Sequence, residues 1–122
     1  MDNDPAREGK IDLVALSNLD RFAGPGVSRQ TIQLFLEYAP GRLQECREGL
    51  KAGDASKTEI AAHSLKSMAG QLGAVRLQLA CEKAEHAATQ GDFKTLAPLI
   101  EEMKREFLEV KPWYEKKISE QG

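Results

Sequence analysis

At 122 residues the chain is long enough for one domain that buries about two-thirds of its unfolded surface, and it needs no second. A composition of 41% hydrophobic and 30% charged residues is that of a soluble globular protein rather than a disordered one. With 17 basic against 19 acidic residues the net charge is −2, which excludes long-range attraction to nucleic acid or to an anionic membrane.

Residues 1–9 are polar and aperiodic, which predicts a mobile tail ahead of a domain spanning 10–120. Ile11, Leu13, Val14, Leu16 and Leu19 predict a short helix that stops before the turn cluster Ala23-Gly24-Pro25-Gly26. Ser28 is then the expected N-cap of a segment carrying Ile32, Leu34, Phe35, Leu36 and Tyr38. Pro40 should kink or break that helix near Ala39. The pattern resumes with Leu43, Cys46 and Leu50 and ends at Gly53-Asp54, where glycine closes one helix and aspartate caps the next. The same pair recurs at Gly91-Asp92. Two helices, about 55–72 and 75–90, lie between these marks with only Gly73-Ala74 separating them, so they must fold back as an antiparallel hairpin. A last helix from Phe93 toward Ile118 carries Leu96, Leu99, Ile100, Met103, Phe107, Leu108 and Val110, with Pro112 as a kink near its end and Trp113 and Tyr114 covering the bundle end. No window alternates with period two. The predicted fold class is all-α: an up-down-up-down four-helix bundle with a short additional N-terminal helix as a lid on one end.

Cys46 and Cys81 stand on separate helices with no metal-ligand spacing, and read as two reduced, buried thiols; no metal site is expected. The apolar stretches are only a few residues long, and Met1-Asp2-Asn3-Asp4-Pro5 lacks both the basic start and the apolar run of a signal peptide, so the expected location is cytoplasmic.

The run from Ala61 to Gly73 is the most informative in the chain. On a helix, His63, Lys66, Ser67 and Gly70 share one face, while Ala61, Leu65, Met68 and Leu72 fall on the opposite one. Imidazole and ammonium therefore point to water together, from a helix anchored by its other side. Gly70 costs the helix roughly 1 kcal/mol relative to alanine, so its place beside an exposed histidine asks for a reason other than helix stability. If the hairpin folds at Ala74, His63 and Glu85 stand level, each eleven residues or about 16 Å from it. His63 nonetheless points nearly away from the apolar stripe, so register alone leaves contact between them open. His86 beside Glu85 reads as a surface residue, and Ser64 and Ser67 as spacers. Ile60 flanks the His63 face and fits equally an exposed docking contact or bundle packing; Gln71 fits equally a docking contact or an ordinary surface residue.

His63 followed by Leu65 and Lys66, then Gly70, Leu72 and Gly73, then Leu77, Cys81, Glu85 and the Gly91-Asp92 turn resembles the core of the histidine-containing phosphotransfer (HPt) family. The helix plan from Ile11 onward is similar throughout. One departure is visible: the residue after the motif lysine is often glycine in that family and here is Ser67. The resemblance implies a phosphoryl carrier rather than a kinase, with His63 taking the group from an aspartyl phosphate or from a kinase and passing it to a receiver domain. It implies Lys66 as the charge that offsets the phosphoryl oxygens and, by likeness to chemotaxis-kinase members, Glu85 as the group that orients the imidazole. Ile60, Ser67, Gly70 and Gln71 would form the receiver docking face, with a rim from the preceding helix. No cofactor of its own is implied, Mg²⁺ being supplied by the receiver. Expected partners are receiver domains and a sensor or hybrid histidine kinase, met by a monomer through weak contacts. This chemistry suits the residues, because a neutral imidazole is a competent nucleophile and phosphoryl transfer asks chiefly for positioning and charge. Two alternatives remain: a degenerate bundle serving as a binding scaffold, which would be expected to lose the histidine or lysine first, and an excised domain of a hybrid kinase.

Overall fold

The computed structural model describes residues 4–121. Asp12 starts the first helix, α1 (Leu13–Asn18), by accepting a hydrogen bond from the Val14 amide at 3.0 Å. A π-helical turn follows over Leu19–Ala23, and α2 then runs unbroken over Val27–Ala52. Ser28 is not the cap of α2: the N-cap is Gly26, and Ser28 lies inside the helix, where its amide (2.9 Å) and hydroxyl (2.8 Å) both donate to Asp20 of the π-turn. A carboxylate from the preceding segment thus satisfies the first turn of α2, and these two bonds hold the Asp20 pKa below its ordinary value.

Pro40 does not interrupt α2. It sits on the exposed side, where the carbonyl it leaves without an amide partner can meet water, while Phe35, Ala39, Leu43 and Cys46 are buried on either side of it. Burial of that stripe outweighs the local cost. The last helix behaves alike: α5 (Phe93–Gln121) continues through both Pro98 and Pro112.

The hairpin forms as the spacing requires. Asp54 caps α3 (Ala55–Gln71) by accepting from the Lys57 amide, and α4 (Val75–Thr89) begins after Gly73-Ala74. Asp92 in turn caps α5 through the Thr95 amide at 3.1 Å. α2 packs on α3, α3 on α4, α4 on α5 and α5 back on α2, which is the expected four-helix bundle, while α1 touches α3 and the π-turn touches α2. At its centre Phe35 meets Phe107 and Tyr114 edge-on, each at 5.4 Å between ring centroids. Tyr114 is therefore core rather than a cover: its ring is fully buried and its hydroxyl donates to the Leu72 carbonyl at 2.7 Å. Trp113 is only partly buried. Cys46 and Cys81 are buried free thiols, and desolvation pushes the Cys46 thiol up to about 12.

The N-terminal segment is the largest departure from expectation. Residues 1–3 of the expected tail lie outside the described residues, but from Asp4 the chain forms hydrogen-bonded turns, with Pro5 buried. Its backbone then pairs with the hairpin turn: the Asp12 amide donates to the Gly73 carbonyl at 2.7 Å, and the Val75 amide donates to the Lys10 carbonyl at 3.2 Å. Lys10 is itself buried, its ammonium 2.6 Å from Glu109 of α5. Gly73 has φ +74, and a Cβ there would run into the Asp12 carbonyl oxygen, so this strap can lie flat only against glycine.

Candidate functional site

The buried residues of α3 (Thr58, Ala61, Ala62, Leu65 and Ala69) form one stripe, and Leu72 beyond its end is buried as well. Met68 is only half-buried, so the core-facing arc sits slightly further toward Ala62 and Ala69 than expected. That rotation tips His63 toward α4. Its side chain remains 60% exposed, yet Nδ1 lies 2.7 Å from Glu85 Oε2, so the level register does produce contact.

Lys66, one turn on, joins the same carboxylate from the other side: Nζ lies 2.6 Å from Glu85 Oε1. Each oxygen of Glu85 thus holds one of the two groups. Partial burial pushes the Glu85 pKa up, but the hydrogen bonds and charges of Lys66 and His63 more than offset this and hold it below the ordinary carboxylate value. Glu85 in turn raises the Lys66 pKa through its hydrogen bond. An ionised carboxylate only accepts hydrogen bonds, so a neutral His63 facing it carries its proton on Nδ1. The lone pair is then on Nε2, the nitrogen left free for a reacting partner.

Ile60, Ser67 and Gln71 are exposed on the outer face of α3, Ile60 at 67%, and do not take part in the Glu85 cluster. Gly70 is half-buried for a reason that lies within the bundle. A Cβ there would stand 2.8 Å from Gln78 Nε2, because the Gln78 side chain of α4 lies across the bare backbone. Side-chain type alone does not mark Gln78, but register does: Gly70 and Gln78 are each four residues from Ala74, the rule that sets Glu85 beside His63. His86 points out beside Glu85, and among the described residues no group of His, Cys, Asp and Glu is placed to hold a metal ion. Among the described residues no helix is long and apolar enough to cross a membrane.

Residues 30–113, more than half of the chain, match the family model of the Hpt domain. The fold is similar to that of histidine-containing phosphotransfer protein B from Pseudomonas aeruginosa, with a TM-score of 0.84 and 28% identity over 91% of this chain and 96% of that one. It is also similar to the maize histidine-containing phosphotransfer protein ZmHP2, with a TM-score of 0.80 and 16% identity over 94% of this chain and 88% of that one, a likeness of fold. No curated protein sequence matches. Bundle, helix-borne histidine and family model agree: the chain belongs to the Hpt domain family, and its work is histidine phosphotransfer in two-component signalling.

Proposed function

We propose that His63 is the phosphoacceptor and relays a phosphoryl group between receiver-domain aspartates. The observation that supports this reading most is the single carboxylate that binds His63 Nδ1 at 2.7 Å while the ring stays 60% exposed. Nε2 of the neutral ring attacks phosphorus of an aspartyl phosphate; the N–P bond forms as the bond from phosphorus to the aspartate oxygen breaks, and the aspartate leaves as carboxylate. The Nδ1 proton stays where it is, so the ring gains positive charge. Glu85 offsets that charge and orients the ring. Lys66 has three donors and spends one on Glu85, which leaves two for the phosphoryl oxygens. The onward step is the reverse reaction with a second receiver's aspartate. The receiver supplies Mg²⁺, and a sensor or hybrid histidine kinase stands upstream.

Docking covers the outer face of α3 at Ile60, Ser67 and Gln71 and reaches the half-buried Gly70 where Gln78 lies across it, rimmed on the α2 side by the exposed Leu34 and Tyr38. The contact is transient, made by a monomer in the cytoplasm. The test is label transfer from a panel of phosphorylated receiver domains to the wild type and to His63→Gln. Acid-labile, base-stable label on the wild type alone is the expected result. Equal label on both proteins assigns the phosphoryl group elsewhere, and a folded wild type that takes none from any donor leaves the bundle a scaffold.

A further inference from the structure

We infer that the receiver footprint extends from α3 onto α4, where the Gln78 amide is its polar contact and Leu79 its apolar neighbour; this rests on His63 as phosphoacceptor. Gln78 is half-buried in the seam between the two helices, on the side where His63 and Lys66 meet Glu85. Its amide lies over Gly70, and no described residue gives that amide a hydrogen bond. It is not sealed from solvent, since no buried side-chain nitrogen or oxygen lacks a partner among the described residues. A side chain needed only to fill the space above Gly70 would do so at lower desolvation cost as leucine or methionine. The amide instead keeps a donor and an acceptor available on a surface that a partner must approach. Leu79, the next residue, is 50% exposed and lines an open groove shared with Lys66 and Glu85.

The partner follows from the geometry of the reaction. Nε2 is reached only by a body that sets down over His63, and even a small specific interface covers about 600 Å² per partner, a disc of about 14 Å radius. Gln78 lies about 10 Å along the helix axis from the level of His63, inside that disc. A receiver placed over His63 therefore covers the seam. An uncharged group with one acceptor and paired donors suits the backbone edge of a receiver loop, and it discriminates among receivers by whether that edge is presented there.

The experiment compares two donors on each variant. Phosphoramidate is small enough to reach His63 without docking, whereas a phosphorylated receiver must dock, so the readout is the ratio of receiver-driven to phosphoramidate-driven labelling rates. Gln78→Ala should lower the ratio about fivefold and Leu79→Glu more than tenfold. Leu108→Ser, which alters an equally exposed leucine (52%) on α5, a helix that packs on α2 and α4, should keep the wild-type ratio. Ratios within twofold of wild type for both α4 variants would overturn the extended footprint while leaving His63 in its role. A wild type that takes label at His63 from neither donor overturns the phosphoacceptor reading, and the α4 contact with it.

Discussion

The two ends of the α3–α4 hairpin are built on opposite principles. At the turn, Leu72, Gly73 and Ala74 are buried, and three outside groups hold the backbone from Leu72 to Val75: the Tyr114 hydroxyl on the Leu72 carbonyl, the Asp12 amide on the Gly73 carbonyl and the Lys10 carbonyl on the Val75 amide. Eleven residues away His63 is mostly exposed, and one side chain, Glu85, holds it. The turn end spends backbone hydrogen bonds and a φ of +74 on rigidity, and it carries no chemistry. The reactive end spends a charge cluster on orienting one ring and leaves the ring accessible. Stability and reactivity are therefore separable along a single pair of helices, and substitutions at the two ends should fail in different ways.

Gly73→Ala should have the largest effect on stability. A side chain at positive φ costs about 1–2 kcal/mol, and displacing the Asp12 carbonyl adds to it, so a loss of about 2–4 kcal/mol is expected. Thermal unfolding should show a Tm lower by on the order of 10 °C, while phosphoramidate labelling per folded molecule stays within twofold of wild type. A matching fall in labelling would break the separation. Tyr114→Phe should cost less, about 1–2 kcal/mol, because it removes the hydroxyl on the buried Leu72 carbonyl and keeps the ring packed against Phe35. Denaturant unfolding with an unchanged m-value checks it.

What the sequence disclosed divides along the same line. The hairpin and its register were legible, because Gly73-Ala74 leaves no other path and a fixed rise per residue then sets Glu85 level with His63. The strap was not. Residues 4–9 show no periodicity; they form local turns that lead into Lys10 and Asp12, whose backbone pairs with a turn more than sixty residues away, and such pairing leaves no local pattern. Ser28 misled for a related reason: it has the right type for an N-cap, but Asp20 reaches it from another segment. The local cost of Pro40 predicts a break, and the burial of Phe35 and Leu43 around it decides otherwise. At the site, the face of His63 and Lys66 was readable from spacing alone. That one carboxylate binds both was not, because it depends on how far α3 is rotated against α4, which the half-burial of Met68 records.

Glu85→Gln inverts the Gly73 result. An amide can donate to Nδ1 as well as accept from it, so a share of His63 takes the tautomer whose lone pair is on the wrong nitrogen. Phosphoramidate labelling should fall about tenfold, with a change in ring ¹⁵N shifts, while stability moves by less than about 1 kcal/mol. Lys66→Met should lower labelling by a similar factor. If Lys66 acts partly by holding Glu85, the double variant loses less than the product of the single losses. Fully multiplicative losses would show that the two act independently.

The smallest effect is the pH dependence, where the two ends of the hairpin behave alike thermodynamically. Glu85, partly desolvated but bound by Lys66 and His63, and Glu109, bound by Lys10 of the strap, both have folded pKa values below the ordinary 4.5. Between the lowered value and 4.5 the unfolded chain binds more protons than the folded one, so stability rises with pH there. The contribution of each is complete above that range and is lost as pH falls through the lowered value. Glu109→Gln and Glu85→Gln should each flatten the acid limb of a stability curve, and an acid limb unchanged in both variants would remove these ion pairs from the account. Lys10 and Lys66, raised above 10.5 chiefly by hydrogen bonds to the same two carboxylates, give the mirror image, a contribution present below 10.5 and lost as pH climbs through the raised values. The two acid-limb variants part only at the ring: Glu85→Gln should change the ¹⁵N tautomer signature of His63, and Glu109→Gln should leave it as in the wild type, because Glu109 anchors the strap and touches nothing at the reactive end.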